Sequence, residues 1–173
     1  MSSNEGTPAP AAGAVLLQGA FSGPKEFAQL IRDAIRQASL EGWNEMVWSD
    51  ANFEDWPLRE REVIESLDAW SKRGRKLTSL AHRFESVARL HPRFVTWRVR
   101  WDHIIECRTC RDIDDSEVPS ALWSPTWAMR RLDPVRCTGI AGSEPQRRLL
   151  LKEALDERKR QSSPGFPASI LGL

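Results

Sequence analysis

Apolar residues along this chain switch between two periods, and the switches mark its elements. Helical spacing is clearest in "SGPKEFAQLIRDAIRQASLEGW", where Phe27, Leu30, Ile31, Ala34, Ile35 and Ala38 fall on one stripe. Pro24 stands in the first turn, where a missing N–H costs nothing, and Gly42 follows the last apolar position as a C-terminal glycine. Short runs of strand character lie on either side, "AVLLQ" (14–18) and "NEMVWSD" (44–50). A second helix runs to about Trp70, with Val63, Ile64, Leu67 and Trp70 inward and Asp55 as its candidate cap. A third strand, "RKLTSLA" (75–81), and a short helix, "FESVARL" (84–90), come before Pro92.

The next stretch, "RFVTWRVRWDHIIECR", fits both periods. As a strand, it puts Val95, Trp97, Val99, Trp101, His103, Ile105 and Cys107 on one face. As a helix, it aligns Phe94, Trp97, Trp101 and Ile105. Its β-branched and aromatic content favours strand, broken near Arg100–Asp102. An acidic loop, "CRDIDDSEVPS", leads to two strand-like segments, "TWAMRRL" and "VRCTGI". The last helix, "SEPQRRLLLKEALDERKRQ", opens with Ser143, Glu144 and Pro145.

The order β-α-β-α-β-α-β-β-β-α predicts an α/β fold. It is a single-domain mixed sheet, parallel in its first half and antiparallel in its later strands, flanked by helices. The domain is expected to span 14–162. Residues 1–13, small and rich in Pro and Ala, read as a disordered tail. Residues 163–173, "SPGFPASILGL", read as an apolar C-terminal tail that docks on the sheet.

Composition narrows the function classes. A chain of 173 residues, 40% hydrophobic and 28% charged, can bury a core without disulfide staples. A net charge of +1 supplies no global field for nucleic acid or an anionic membrane. No apolar run is long enough to span a bilayer and the N-terminus lacks a basic leader region, so a cytoplasmic protein without a membrane span is expected. Three cysteines, an odd number, argue against a disulfide framework. Eight tryptophans exceed what one core needs, so one or two are expected at a partner or a cleft. Oligomeric state does not follow from the sequence.

Two candidate sites emerge. Cys107 and Cys110, with His103 and Cys137, are the ligand types of a Cys₃His zinc site. Against this, 107–110 contains no glycine for a tight turn, and residues three apart on a strand face opposite ways. Ordinary thiols are the favoured reading, and no cofactor is expected. The second site is Arg93, Arg98 and Arg100, in a segment (89–111) with six arginines against Asp102 and Glu106. Arginines interleaved with tryptophans suit a polyanion such as single-stranded nucleic acid. The plainer reading is a match to the acidic segment 50–68, with seven acids against Arg59 and Arg61. Neither a phosphate-binding glycine loop nor a Gly-x-Ser-x-Gly elbow is present.

From about Arg75 to Leu173 the chain shows a strand-like stretch with His103, then a further strand, then Gly142–Ser143 leading into the last helix. This layout resembles one half of a phospholipase D-like domain, in which a strand carrying His-x-Lys precedes a strand and a Gly-Ser turn. The resemblance implies a phospholipase D-like half-fold without its catalytic site. Ile105 stands at the lysine position, Cys110 at the aspartate position, and Glu144-Pro145-Gln146 follows Gly-Ser where an asparagine is expected. In that chemistry histidine attacks phosphorus while lysine stabilises the charge, so losing the lysine removes the electrostatic partner. The chain also looks similar to uncharacterised small bacterial proteins with the same Trp-Pro-Leu and His-Pro-Arg-Phe segments. The resulting expectation is a non-catalytic domain acting through an unidentified protein partner. Polyanion or nucleic-acid binding is the alternative, and a zinc or thiol site the second.

Overall fold

The computed structural model describes residues 16–73 and 75–167. Eight strands form one sheet. They are β1 (Gly19–Ser22), β2 (Glu45–Asp50), β3 (Lys76–Ala81), β4 (Ile105–Thr109), β5 (Ser120–Trp123), β6 (Ala128–Asp133), β7 (Thr138–Gly142) and β8 (Ser163–Pro164). Their order across the sheet is β1-β7-β6-β5-β2-β3-β4-β8. β2, β3 and β4 are parallel, and every other pairing is antiparallel. The helices are α1 (Pro24–Glu41), α2 (Arg61–Ser71), α3 (Glu85–Leu90), α4 (Pro92–Arg100) and α5 (Pro145–Arg160).

The two sheet faces are unequally covered. α1 to α4 pack on one face over a core that includes Trp48, Trp56, Trp70, Trp127, Phe27 and Phe94. Among the described residues α5 alone crosses the other face, setting Leu151 and Leu155 against Val47, Leu80, Ala121 and Ala128. Six of the eight tryptophans are buried, and Trp101 and Trp123 are half-buried. Two of their ring N–H groups stitch elements together: Trp70 donates to the Trp43 carbonyl at 2.7 Å, tying α2 to the segment that leads into β2, and Trp97 donates to Ser71 Oγ at 3.1 Å, tying α4 to α2. The buried Trp48 and Trp56 rings make no such bond and contribute area alone.

Three expectations are corrected. The first strand is Gly19–Ser22, not 14–18, and residues 14 and 15 lie outside the described residues. It is not the start of a parallel crossover, because it pairs antiparallel with β7 at the far edge from β4. Its Phe21 ring fills the space beside Gly139, where an added Cβ would lie 2.6 Å from Phe21 Cζ and 2.8 Å from Arg131 Cα. Second, 92–100 is helix. Pro92 fixes φ at its first position, and Phe94 and Trp97 turn inward at helical spacing. Packing of these rings overrides the β propensity of Val95, Thr96 and Val99. Third, Asp55 caps no helix. Glu60 is the N-cap of α2, and the Asp55 carboxylate binds Arg131 at 2.9 Å.

The C-terminal segment closes the β4 edge as far as it is described. Ser163–Pro164 pairs with Arg108 and Thr109, and Phe166 stacks on Phe84 with ring centroids 5.2 Å apart. The proposed tail at 1–13 and the end of the chain beyond 167 lie outside the described residues.

His91 pins the start of α4 to the loop after β2. It is fully buried, and its Nε2 lies 2.8 Å from the Phe53 carbonyl, so the neutral ring donates there. Burial pushes its pKa below the ordinary value of 6.5, more than the Phe53 bond raises it. A depressed folded pKa gives stability that is complete above the unfolded value and is lost as pH falls. The melting temperature should therefore drop on acidification from about pH 7 to 5, and His91→Gln, which keeps a donor, should flatten that slope. Parallel melting curves for the two proteins would rule the assignment out.

Candidate interaction groove

Ligands of α/β folds gather at the carboxyl ends of parallel strands. At that end of β2 the chain buries an ion pair. Asp50 and Arg131 side chains are each 3% exposed and meet at 2.9 Å. Ser120 Oγ donates to Asp50 Oδ1 at 2.6 Å and accepts from Arg131 Nε at 3.0 Å. The other Asp50 oxygen accepts the Phe53 amide at 2.8 Å, and Arg131 also binds Asp55 and lies 4.1 Å over the Phe27 ring. Burial works against the Arg131 charge, but Asp50 and Asp55 more than offset it and hold its pKa above the ordinary arginine value. Each nitrogen of the guanidinium has a partner within the chain.

The cysteine and histidine set does not converge. Cys137 lies in the turn between β6 and β7, and four strands separate β7 from β4, which carries Cys107. At the usual strand spacing that is about 24 Å. Cys107 faces the α1–α4 core, while Cys110 follows β4 and is absent from that core. His103 is exposed in the turn before β4, its ring 5.7 Å from that of Trp101. Among the described residues no three His, Cys, Asp or Glu side chains come together as a metal site. Burial pushes the Cys107 thiol up to about 12, against the opposing pull of Arg98, so it is a poor nucleophile and a poor ligand near neutrality.

The three arginines divide once their segment is a helix. Arg98 is 5% exposed; it binds Asp102 at 2.8 Å and the Phe166 carbonyl at 3.1 Å, so it belongs to the fold. Arg93 and Arg100, two turns apart, are exposed on another face. They line a groove of about 410 Å³ between α2 and α4. On the α2 side stand Arg61, Ile64, Glu65, Asp68, Ala69 and Lys72, one stripe at helical spacing; Thr96 and Trp97 complete the α4 side. The floor is apolar (Ile64, Ala69, Trp97) and the rim carries four cations against two carboxylates. Arg93 donates to the Arg59 carbonyl at 2.7 Å, beside the start of α2, and Arg100 lies 3.4 Å from Asp68, near its end. Reading 93–101 as strand put Arg98 and Arg100 together and hid the pairing of Arg93 with Arg100. The signals for helix were Pro92 and the Phe94, Trp97, Trp101 spacing. The α2 half of the groove was missed because Ile64 read as core and Arg61 as an exception in an acidic run.

No family model matches the sequence, and no curated protein matches it. Solved structures do match. The chain is similar to TrmBL2, an archaeal chromatin protein with a novel mode of DNA binding, at TM-score 0.62 and 16% identity, over 84% of this chain and 53% of that one. It is similar to Nuc, a phospholipase D family member from Salmonella typhimurium, at 0.57 and 12%, over 86% and 98%. It is also similar to phosphatidylserine synthase from Haemophilus influenzae Rd KW20, at 0.53 and 16%, over 89% and 40%. The fold is phospholipase D-like. The chain spans nearly all of Nuc but only about half of the archaeal protein.

This fold moves one sequence correspondence. In the phospholipase D-like layout the His-x-Lys strand precedes the strand that ends in the Gly-Ser turn. Here β7 ends at Gly142, and the strand before it is β6, not the stretch around His103. Ile105 and Cys110 on β4 and its exit therefore do not occupy the lysine and aspartate positions. From Trp123 through β6 to Asp133 the sequence holds no histidine and no lysine.

The Arg131 pair generates a stability prediction. Asp50→Ala should cost about 3–5 kcal/mol in urea unfolding, because it leaves a buried guanidinium short of its main partner. Adding Arg131→Met should recover at least half of that loss. A double variant as unstable as the single one would show that the pair contributes through geometry that apolar packing cannot replace.

Proposed function

We propose that this chain is a non-catalytic cytoplasmic interaction domain that holds a protein partner in the groove between α2 and α4. The groove itself carries this reading: an apolar floor under a cationic rim, formed by two exposed helix stripes that no described element of the chain covers. Helix pairs with such stripes take segments of other proteins by apolar anchors, and rim charges select them. Two further observations support it. The β6 region has no His-x-Lys, and the polar groups at the carboxyl end of β2 satisfy one another.

The DNA binding of the archaeal neighbour offers a second reading, through Arg93 and Arg100. Two features favour protein. Glu65 stands between the groove cations, where a continuous run of phosphates would meet it. Arg98 is committed to Asp102 and Phe166.

Ala69 is exposed at the groove floor, so Ala69→Trp should fill the groove with little effect on the melting temperature. Cross-linking in cells should give at least one partner with the wild-type chain that Ala69→Trp loses. Identical cross-link profiles, or phosphodiesterase turnover by the wild-type chain, would sink the proposal.

A further inference from the structure

We infer that the occupant of this groove is an acidic amphipathic helix, with carboxylates two turns apart on one face and leucine-sized side chains between them. This deepens the groove reading and rests on it. The distribution of charge along the groove carries it. The α2 stripe runs from Arg61 to Lys72, eleven residues or about 16 Å of helix axis. The α4 stripe runs from Arg93 to Arg100, seven residues or about 10 Å. The bonds already described show how the stripes align. Arg93 reaches the carbonyl of Arg59, so it lies beside Arg61 at one end. Arg100 meets Asp68, one turn from Lys72, at the other. Cations thus cluster at both ends of the groove, and the apolar floor of Ile64, Ala69 and Trp97 lies between them.

The two groove acids do not cancel this pattern. Asp68 accepts from Trp101 Nε1 at 2.8 Å and pairs with Arg100, so its charge is engaged. Glu65 pairs with Arg61 at 3.1 Å in an exposed pair that a competing carboxylate can replace. Among the described residues Lys72 and Arg93 make no ion pair, which leaves one uncompensated cation near each end. A helix rises about 10 Å over seven residues, the span from Arg93 to Arg100, so acids at i and i+7 reach Arg93 at one end and Arg100, with Lys72 beyond it, at the other, while apolar residues at i+3 and i+4 face the floor. An extended polyanion would instead set phosphates opposite Glu65, between the two ends.

The test uses the full chain and synthetic, fluorescein-labelled helical peptides on an alanine–glutamine background. One carries glutamates at i and i+7 with leucines at i+3 and i+4. A second has lysines in place of the glutamates, and a third keeps both glutamates but moves one to the opposite helix face. At low salt the first should bind about tenfold more tightly than either other peptide. The double variant Lys72→Glu, Arg93→Glu should reverse the order of the first two. Equal affinity for all three peptides, with binding still abolished by Ala69→Trp, would overturn the acidic, two-turn occupant and leave the groove reading standing. Binding that Ala69→Trp does not change, or no binding at all, would remove both. A single-stranded oligonucleotide that displaces the first peptide at equal concentration would replace the helix with a polyanion.

Discussion

A guanidinium and a carboxylate, both shielded from water, meet where the two halves of the sheet join. Asp50 ends the parallel strand β2, Arg131 lies on the antiparallel strand β6, and β5 runs between them with Ser120 bonded to both. Burying two charges is costly, and only near-complete hydrogen bonding makes it tolerable. Here the requirement reaches three further parts of the chain. It fixes α1 through Phe27 under the guanidinium, the β2–α2 loop through Asp55 and the Phe53 amide, and the β6–β7 turn through Cys137. One interaction thereby sets the register of β2, β5 and β6 and the entry to α2.

From that loop the constraint passes to the helices. Phe53 sits at positive φ, its amide held by Asp50 and its carbonyl facing His91 Nε2. His91 is the junction between α3 and α4, so the loop that follows Asp50 also positions the start of α4. α2 begins on the other side of the same loop. The two walls of the groove are therefore set from one anchor, and the spacing between them is a property of the core rather than of surface contacts. Trp97, donating to Ser71, closes the floor beneath them.

Much of the sheet was legible in the sequence because its signals are local. Met46 to Asp50 and Leu77 to Ala81 are short apolar runs bounded by polar turns, and Gly42 adopts the left-handed conformation its position implies. What was hidden depends on partners far away in the chain. Nothing near Gly19–Ser22 says that it pairs with β7, more than 110 residues later. α4 read as strand because tryptophan, valine and threonine favour strands in isolation, and only the core that receives Phe94 and Trp97 makes it a helix. The candidate site inherits both limits. Arg93 and Arg100 were visible as cations, but their pairing needed the helix, and the α2 side of the groove needed the tertiary fold. The cysteines show the converse. Their spacing suggested ligands, yet the strand order sets Cys137 about five strand spacings from Cys107.

On the proposed reading, the buried pair also explains why the groove lies where it does. A site for chemistry at the carboxyl end of a sheet needs polar groups that are held in place yet left incomplete, so that a substrate can supply the missing partner. Arg131 is held in place but complete: Asp50, Ser120 and Asp55 take its nitrogens. The group that could act on a ligand at that end instead joins the halves of the sheet. The exposed, incompletely matched charges lie on the outer faces of α2 and α4, where a long ligand can reach them without opening the core. Exposed side chains on rigid helices suit recognition, because they can change without disturbing the anchor beneath. A phospholipase D-like sheet can thus keep its architecture while its binding surface moves from the strand ends to the helices.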